Sequence, residues 1–349
     1  MKITLLLFTG LITSLMAQVD SNASQEENYI DSYHKELSSY VVDTSHYLDD
    51  SLSEYLNDDE NSTDADKHDP IVEQDSNAVD KFFQNDKYLD ETDKSYVRIR
   101  LDTQLQSKEA DEFNLRLSAQ IPLSRSKKNI KLFIEGLDQD NTKDIKADDT
   151  DGQENAPEIG VNYYVPDTLK MDSKYSLGIR GIYPFVRARY NRVFNAEEWV
   201  IEPTQVFKYS TKTDFEEETN IYFDIKPSAL SLFRIQVSRG TKSHQDGMDY
   251  GLGYAFFYSP RKGLGMSVAQ GVSGNTEYQY VTDENTDPVT ESKPYSGISN
   301  YSTSFSLRHN VWKKWFFYEL RPGVNFARNY DYEPNYTIRV FLDFFIGDF

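Results

Sequence analysis

The sequence has no cysteine, which removes disulfides, thiol catalysis and thiolate metal sites and leaves no residue for an N-terminal lipid anchor. Beyond residue 16 it has no run approaching the roughly eighteen consecutive apolar residues that a membrane helix needs. Basic residues are scarce, 37 Lys and Arg against 57 Asp and Glu, for a formal net charge of −20. No basic patch stands out that could release phosphate counterions, so nucleic acid is not an expected partner. Of five histidines, His34, His46 and His68 fall in the acidic N-terminal part, His244 in an expected loop and His309 at an expected strand end. No expected strand offers an outward Ser-His pair, which argues against an outer-membrane lipid hydrolase and leaves no catalytic residue to nominate.

What is present is organised in three parts. Met1 and Lys2 precede an apolar run over residues 3–16 and then Ala17, the pattern of a secretory signal peptide spanning residues 1–17. Leu15 is larger than the small residue usual at its position before the cut. Residues 18–93 hold about 22 Asp and Glu against about 4 Lys, so they supply most of the negative charge and leave residues 94–349 at about −3. Within 29–56, Ile30, Tyr33, Leu37, Tyr40, Val41, Tyr47, Leu48, Leu52 and Tyr55 recur at spacings of three, four and seven, which predicts an amphipathic periplasmic helix. Tyr33, Tyr40 and Tyr47 lie one heptad apart, while Thr44 and Ser51 on the companion seam disfavour a strong coiled coil. Residues 57–77 are too polar to fold alone, and a second short helix is expected at 78–89 with Val79, Phe82, Phe83 and Leu89.

From about Tyr96 the period changes from helical to alternating. Val97, Ile99, Leu101 and Leu105 alternate with Arg98, Arg100, Asp102 and Gln104, and the closing stretch repeats this with Ile338, Val340, Leu342, Phe344 and Ile346 against Arg339 and Asp343. A soluble sandwich would turn the apolar face inward, whereas a membrane barrel turns it to lipid and lines its lumen with the charges. With the signal peptide, the pattern predicts an all-β membrane protein: a 14-stranded antiparallel transmembrane β-barrel over residues 94–349, with 12 strands as the alternative. Strands are expected at 96–106, 113–121, 129–137, 157–165, 173–182, 184–193, 198–210, 218–226, 230–240, 249–258, 263–273, 297–309, 314–327 and 335–346. One strand ends and the next begins at 181–184 because Pro184 cannot donate to an interior ladder, and merging the two would give an odd count. Long connections at 138–156 and 281–296 interleave with tight ones at 122–128, 195–198, 259–262 and 310–313, as a barrel with periplasmic termini requires. Trp199, Tyr209, Tyr250, Tyr258, Trp312, Trp315 and Tyr336 fall at strand ends, where amphipathic rings favour the membrane interface. Phe349 is out of step with Phe344 and Ile346, so Gly347-Asp348-Phe349 reads as a tail, or else as a bulge at Gly347 that resets the phase.

Asp80-Lys81-Phe82-Phe83 with Asp86, Tyr88, Asp90 and Glu91, PFVRARY at 184–190 and WFFYELRPGV at 315–324 resemble a proteobacterial family of outer-membrane β-barrels. The resemblance covers residues 78–349, implies a 14-stranded barrel and supplies no catalytic residues or cofactor.

Parity turns Arg98, Arg100, Arg116, Lys131, Arg180, Arg187, Arg189, Arg234, Arg308, Arg321 and Arg339 inward, with Asp102, Glu135, Glu202, Asp224, Glu319 and Asp343 opposing them. These charges either pair across a filled interior and stiffen it, or form a basic constriction that favours anions. Asp149, Asp151, Gly152 and Glu158 fit part of a calcium loop, but Ala147 stands at its first ligand position, so no metal site is expected. The sequence thus points to an outer-membrane channel or transporter for small solutes, with the N-terminal segment as a plug. The alternative is a non-conducting barrel that anchors the acidic helix for a periplasmic partner. Expected partners are outer-membrane lipid and lipopolysaccharide, and the barrel-assembly machinery through the last strand.

Overall fold

A computed structural model describes residues 29–56, 82, 94–123, 129–135, 157–165, 171–243, 245–281, 292–310 and 313–348. The signal peptide, most of the acidic segment, the 138–156 loop with its calcium-like pattern, His244, Trp312 and Phe349 lie outside them. Among the described residues a long helix, α1 (Tyr29–Leu56), precedes fifteen strands. These are β1 (Tyr96–Gln106), β2 (Glu112–Pro122), β3 (Ile130–Glu135), β4 (Glu158–Val165), β5 (Asp172–Arg180), β6 (Tyr183–Asn191), β7 (Phe194–Ala196) and β8 (Trp199–Ser210). They continue with β9 (Asp214–Ser228), β10 (Ser231–Lys242), β11 (Asp249–Arg261), β12 (Leu264–Val281), β13 (Ser292–His309), β14 (Phe316–Ala327) and β15 (Pro334–Gly347).

Each strand pairs antiparallel with its neighbours, and the sheet closes where β1 meets β15, from Tyr96 opposite Gly347 to Gln106 opposite Thr337. The wall has fourteen strands, not fifteen, because β6 and β7 are one strand with a gap in its ladder. Asn191 faces Thr204 and Phe194 faces Ile201, so the register runs unchanged across residues 192 and 193. Opposite the gap stands Pro203, which accepts a bond from the Arg192 N–H but has no N–H to return. The turn between β5 and β6 sits at Gly181 and Ile182, with Gly181 at φ +60°, so Pro184 falls just inside β6. The division expected near Pro184 therefore holds, and the twelve-strand alternative does not.

The polarity of the wall is inverted relative to a water-soluble protein. On β2, Phe113, Leu115 and Leu117 are exposed, Leu115 by 70%, while Gln120 is buried. On β4 and β5, Ile159, Val161, Leu177 and Ile179 face out while Glu158, Asn162 and Ser176 are buried. Apolar side chains out and charged ones in is the polarity of a barrel whose surroundings are hydrocarbon. The protein is a β-barrel of the bacterial outer membrane. Short turns close the end where β1 begins and β15 finishes, for example that with Gly263 at φ +82° between β11 and β12, and in outer-membrane barrels the short turns mark the periplasmic end.

Several boundaries differ from the expectation. β9 begins at Asp214, and β12 and β13 extend by several residues beyond 273 and before 297. This gives a hairpin longer than the roughly nine to eleven residues that cross a bilayer, so its end projects outward. β15 continues through Gly347, at φ +115°, and Asp348 N–H still donates to Ser95 carbonyl at 2.9 Å. Pairing at the seam thus runs one or two residues past the expected end at Ile346.

At the outer rim, Arg328 donates to the Gly297 and Ile298 carbonyls at 2.9 and 3.0 Å, tying the β14–β15 connection to β13. Lys108 pairs with Glu333 across the seam strands and holds that carboxyl below the usual range.

Leu117 lies near the middle of β2 on the outward face. Leu117→Arg is expected to cost about 2–4 kcal/mol of unfolding free energy in liposomes, as charges do on a lipid face. Urea titration monitored by tryptophan fluorescence reads this, and an unchanged midpoint would show that this face does not meet lipid.

Candidate functional site: the charged lumen

Alternate positions on the strands face inward, and the sequence fills them with charges, uncharged polar groups such as Gln120, Asn162 and Ser273, and phenylalanines. At the closing seam Asp343 of β15 is 1% exposed. It accepts from Arg98 Nε and Nη2 at 3.1 and 3.2 Å, from Arg100 Nε and Nη2 at 2.6 and 3.0 Å, and from Arg308 Nη1 at 2.8 Å. Glu319 of β14 accepts from Arg308 at 3.2 Å, Arg321 at 2.7 Å and the Ser306 hydroxyl at 2.6 Å. Asp102 of β1 accepts from Arg116 at 2.6 Å and Arg339 at 3.0 Å. Six arginines thus share these three carboxylates.

Phenylalanines fill the spaces between the guanidinium groups. Arg100, Arg321 and Arg339 lie over the Phe341 ring at 5.0, 5.0 and 5.1 Å, Arg98 over Phe345 at 5.4 Å and Arg308 over Phe317 at 4.7 Å. The ring quadrupole attracts each cation and replaces some of the water it loses. Register nevertheless sets like charges face to face, Arg100 opposite Arg116 and Arg321 opposite Arg339. Such pairs are destabilising on a sheet unless negative charge lies between them.

A second cluster spans β3 to β8, centred on β4, three strands around the wall from β1. Glu158 of β4 pairs with Arg180 and accepts from Lys208 at 2.8 Å and Arg187 at 3.3 Å, while Arg187 also donates to Glu135 at 3.1 Å. Register again sets cations opposite one another, Arg187 against Lys208 and Lys174 against Arg189. Phe185 packs under Arg187 and Lys208 and lies over Gly178, where a Cβ would sit 3.0 Å from its ring. Glycine at 178 therefore makes room for the aromatic floor of this cluster. On β9 and β10, Arg234 forms a bidentate pair with Asp224 at 2.8 and 2.7 Å.

Toward the periplasmic end the lining turns apolar. Tyr96, Phe317 and Phe345 form one buried group, and Leu232 with Phe257 forms another on β10 and β11. Phe82, from the N-terminal segment, packs against both. Its ring meets that of Phe317 edge-on, with centroids 6.2 Å apart. β14 and β10 are separated by three intervening strands, so this one side chain spans the interior between two walls.

The rim below is crossed by α1. Asp31 pairs with Lys313, and His34 stacks on Trp315 at 4.3 Å and bonds the Phe345 carbonyl at 2.6 Å. Gly347 N–H donates to Ser38 Oγ at 3.1 Å, and Ser45 Oγ lies 2.7 Å from Ser95 Oγ. The helix thus straddles the seam, touching the start of β1 and the end of β15. Trp315, placed at the interface by the sequence, is covered by His34.

The structure turns Arg98, Arg100, Arg116, Arg180, Arg187, Arg189, Arg234, Glu319, Arg321, Arg339 and Asp343 to the inner face, in the two clusters and the Asp224 pair. Sequence reasoning missed Lys174 and Lys208, the inward phenylalanines, and the position of Phe82. Strand parity would have found all but Phe82. His309 pairs with the Tyr318 hydroxyl at 3.1 Å. Among the described residues no group of His, Cys, Asp and Glu could hold a metal ion.

Asp343→Asn keeps the shape of the seam cluster and removes the charge shared by three arginines. Breaking a buried pair in this way is expected to cost about 3–5 kcal/mol. Asp224→Asn, at a less buried pair, is expected to cost less. Urea midpoints of the two variants in the same liposomes give the comparison, and equal losses would mean that the seam cluster is not a special anchor.

No protein-family model matches the sequence, and no curated protein matches it. Solved structures similar to the chain include the KdgM porin in complex with disordered oligogalacturonate, 8% identical over 71% of this chain and 98% of that one, with a TM-score of 0.33. Another is OmpTdeltaL8, a loop-deletion mutant of the Vibrio cholerae outer membrane protein OmpT, 7% identical over 72% and 98%, with a TM-score of 0.43. Pseudomonas aeruginosa OccK1 is 8% identical over 72% and 98%, with a TM-score of 0.40. Likeness at this level carries no argument about solute, and the reading of the lumen rests on this chain's own residues.

Proposed function

We propose that the protein is an outer-membrane channel for small anionic solutes whose periplasmic mouth is closed by its N-terminal segment. The observation that carries this reading is the place of Phe82, which touches the walls of β14 and β10 at once, at a level where the lining is apolar. A ring of apolar side chains excludes water and ions from a narrow passage, so a phenylalanine added to its centre closes it. Displacing Phe82 leaves Tyr96, Phe317, Phe345, Leu232 and Phe257 as the rim of an opening.

Anion preference follows from the register of the inward cations. Four inward cation pairs, Arg100–Arg116, Arg321–Arg339, Lys174–Arg189 and Arg187–Lys208, face each other directly across strands. A wall that presents one sign of charge raises the local concentration of counter-ions beside it. A passing carboxylate or phosphate would meet guanidinium and ammonium groups set side by side and join the carboxylates that already bridge them.

Single-channel conductance in planar bilayers tests both parts. Phe82→Ala and a variant lacking residues 18–93 are each expected to conduct several-fold more than the mature protein, with chloride passing in preference to potassium. Arg187→Gln with Arg189→Gln is expected to reduce that preference without closing the channel. Absence of conductance in all forms would overturn the channel reading and leave the ion pairs as a structural filling. Cation selectivity would overturn the anionic solute.

A further inference from the structure

The apolar periodicity of α1 suggests that its tyrosines should pack on the barrel, and they do the opposite. The face against the rim carries Asp31, His34, Ser38 and Ser45, with Asp49 buried beside them. The opposite face carries Tyr33, Tyr40 and Tyr47, exposed by 51, 70 and 71%, alternating with the exposed carboxylates Glu36, Asp43 and Asp50. The steps between successive members are three, four, three, four and three residues, which is the spacing of a coiled-coil seam. The stripe is thus a regular ladder of aromatic ring and carboxylate pointing away from the barrel on its periplasmic side.

We infer that this ladder is the docking surface for a cationic helix of a periplasmic protein, one bearing Arg or Lys at three-four spacing along a face. Both members of the ladder attract the same chemistry. A carboxylate pairs with a guanidinium, and a tyrosine ring binds one over its face. Leu37 and Ile30, also exposed, flank the stripe and supply apolar contact beside it. A second copy of this helix would set carboxylate against carboxylate along the seam, and an anionic membrane surface would repel it in the same way. The rim face is already occupied, so a partner must approach the ladder.

The inference is independent of whether the lumen conducts. It is tested with the full-length mature protein in zwitterionic nanodiscs at about 0.15 M salt. The probes are two fluorescent helical peptides of equal composition, one with its arginines at three-four spacing on one face and the other with them spread around the helix. The one-faced peptide is expected to bind, by fluorescence anisotropy, about tenfold or more tightly than the other. Y33A/Y40A/Y47A is expected to weaken it by about tenfold, and E36K/D43K/D50K to abolish it. Unchanged heat-modifiability of the barrel on gels shows that both triple variants remain folded. Equal binding of the two peptides would reduce the surface to a diffuse acidic patch and overturn the inference, as would binding of neither. Self-association of the protein that E36K/D43K/D50K alters would overturn it in favour of a second copy.

Discussion

In hydrocarbon no water is available to satisfy backbone N–H and C=O groups, so a membrane sheet must have no edge. The rest of this structure depends on that constraint through one contact, the pairing of β1 with β15. Eleven register pairs join the first and last strands. The ladder needs each strand to arrive in phase, and the gaps at Pro203 and Pro322 cost bonds without shifting the register. The inward face of this same seam carries the densest set of ion pairs, and α1 lies across its periplasmic end. Closure, charge pairing and docking of the N-terminal segment therefore meet along one line of the barrel.

Closure also dictates where the charges go. Once lipid takes the outward positions, every second residue is committed to an interior that is neither bulk water nor oil. Arg308, with 0% exposure, and Asp343 show the consequence, since a charge held there must find a partner or lose much of its solvation. The barrel supplies partners in two ways, with carboxylates that each serve two or three cations and with phenylalanine rings beneath the guanidinium groups.

Much of this was legible because a strand has a period of two and a barrel has only two faces. The inward arginines, the closing strand and the fourteen-strand count follow from alternation and from the parity of turns. What was not legible depended on a third dimension. Nothing in a local pattern says that Phe82 reaches from β14 to β10, because neither strand is near it in sequence. The helical period of 29–56 was clear, but the side turned to the barrel was not. Apolar spacing marks the face that burial favours in water, and here the rim offers Lys313, Ser95 and backbone groups at the end of β15, so the polar face of α1 docks instead. The Pro203 gap went unnoticed because its effect falls on the neighbouring strand rather than on β8 itself.

The two anchored parts of the N-terminal segment are tied to the barrel by tethers of different length. Phe82 is thirteen residues from Ser95, at the mouth of β1, and twenty-six from Leu56, at the end of α1. Thirteen residues reach at most about 45 Å when fully extended. On the reading that Phe82 closes the mouth, a displaced Phe82 therefore stays within reach of its site, and a tether that short keeps its effective concentration near the millimolar range. The plug would open and reseat rather than be lost.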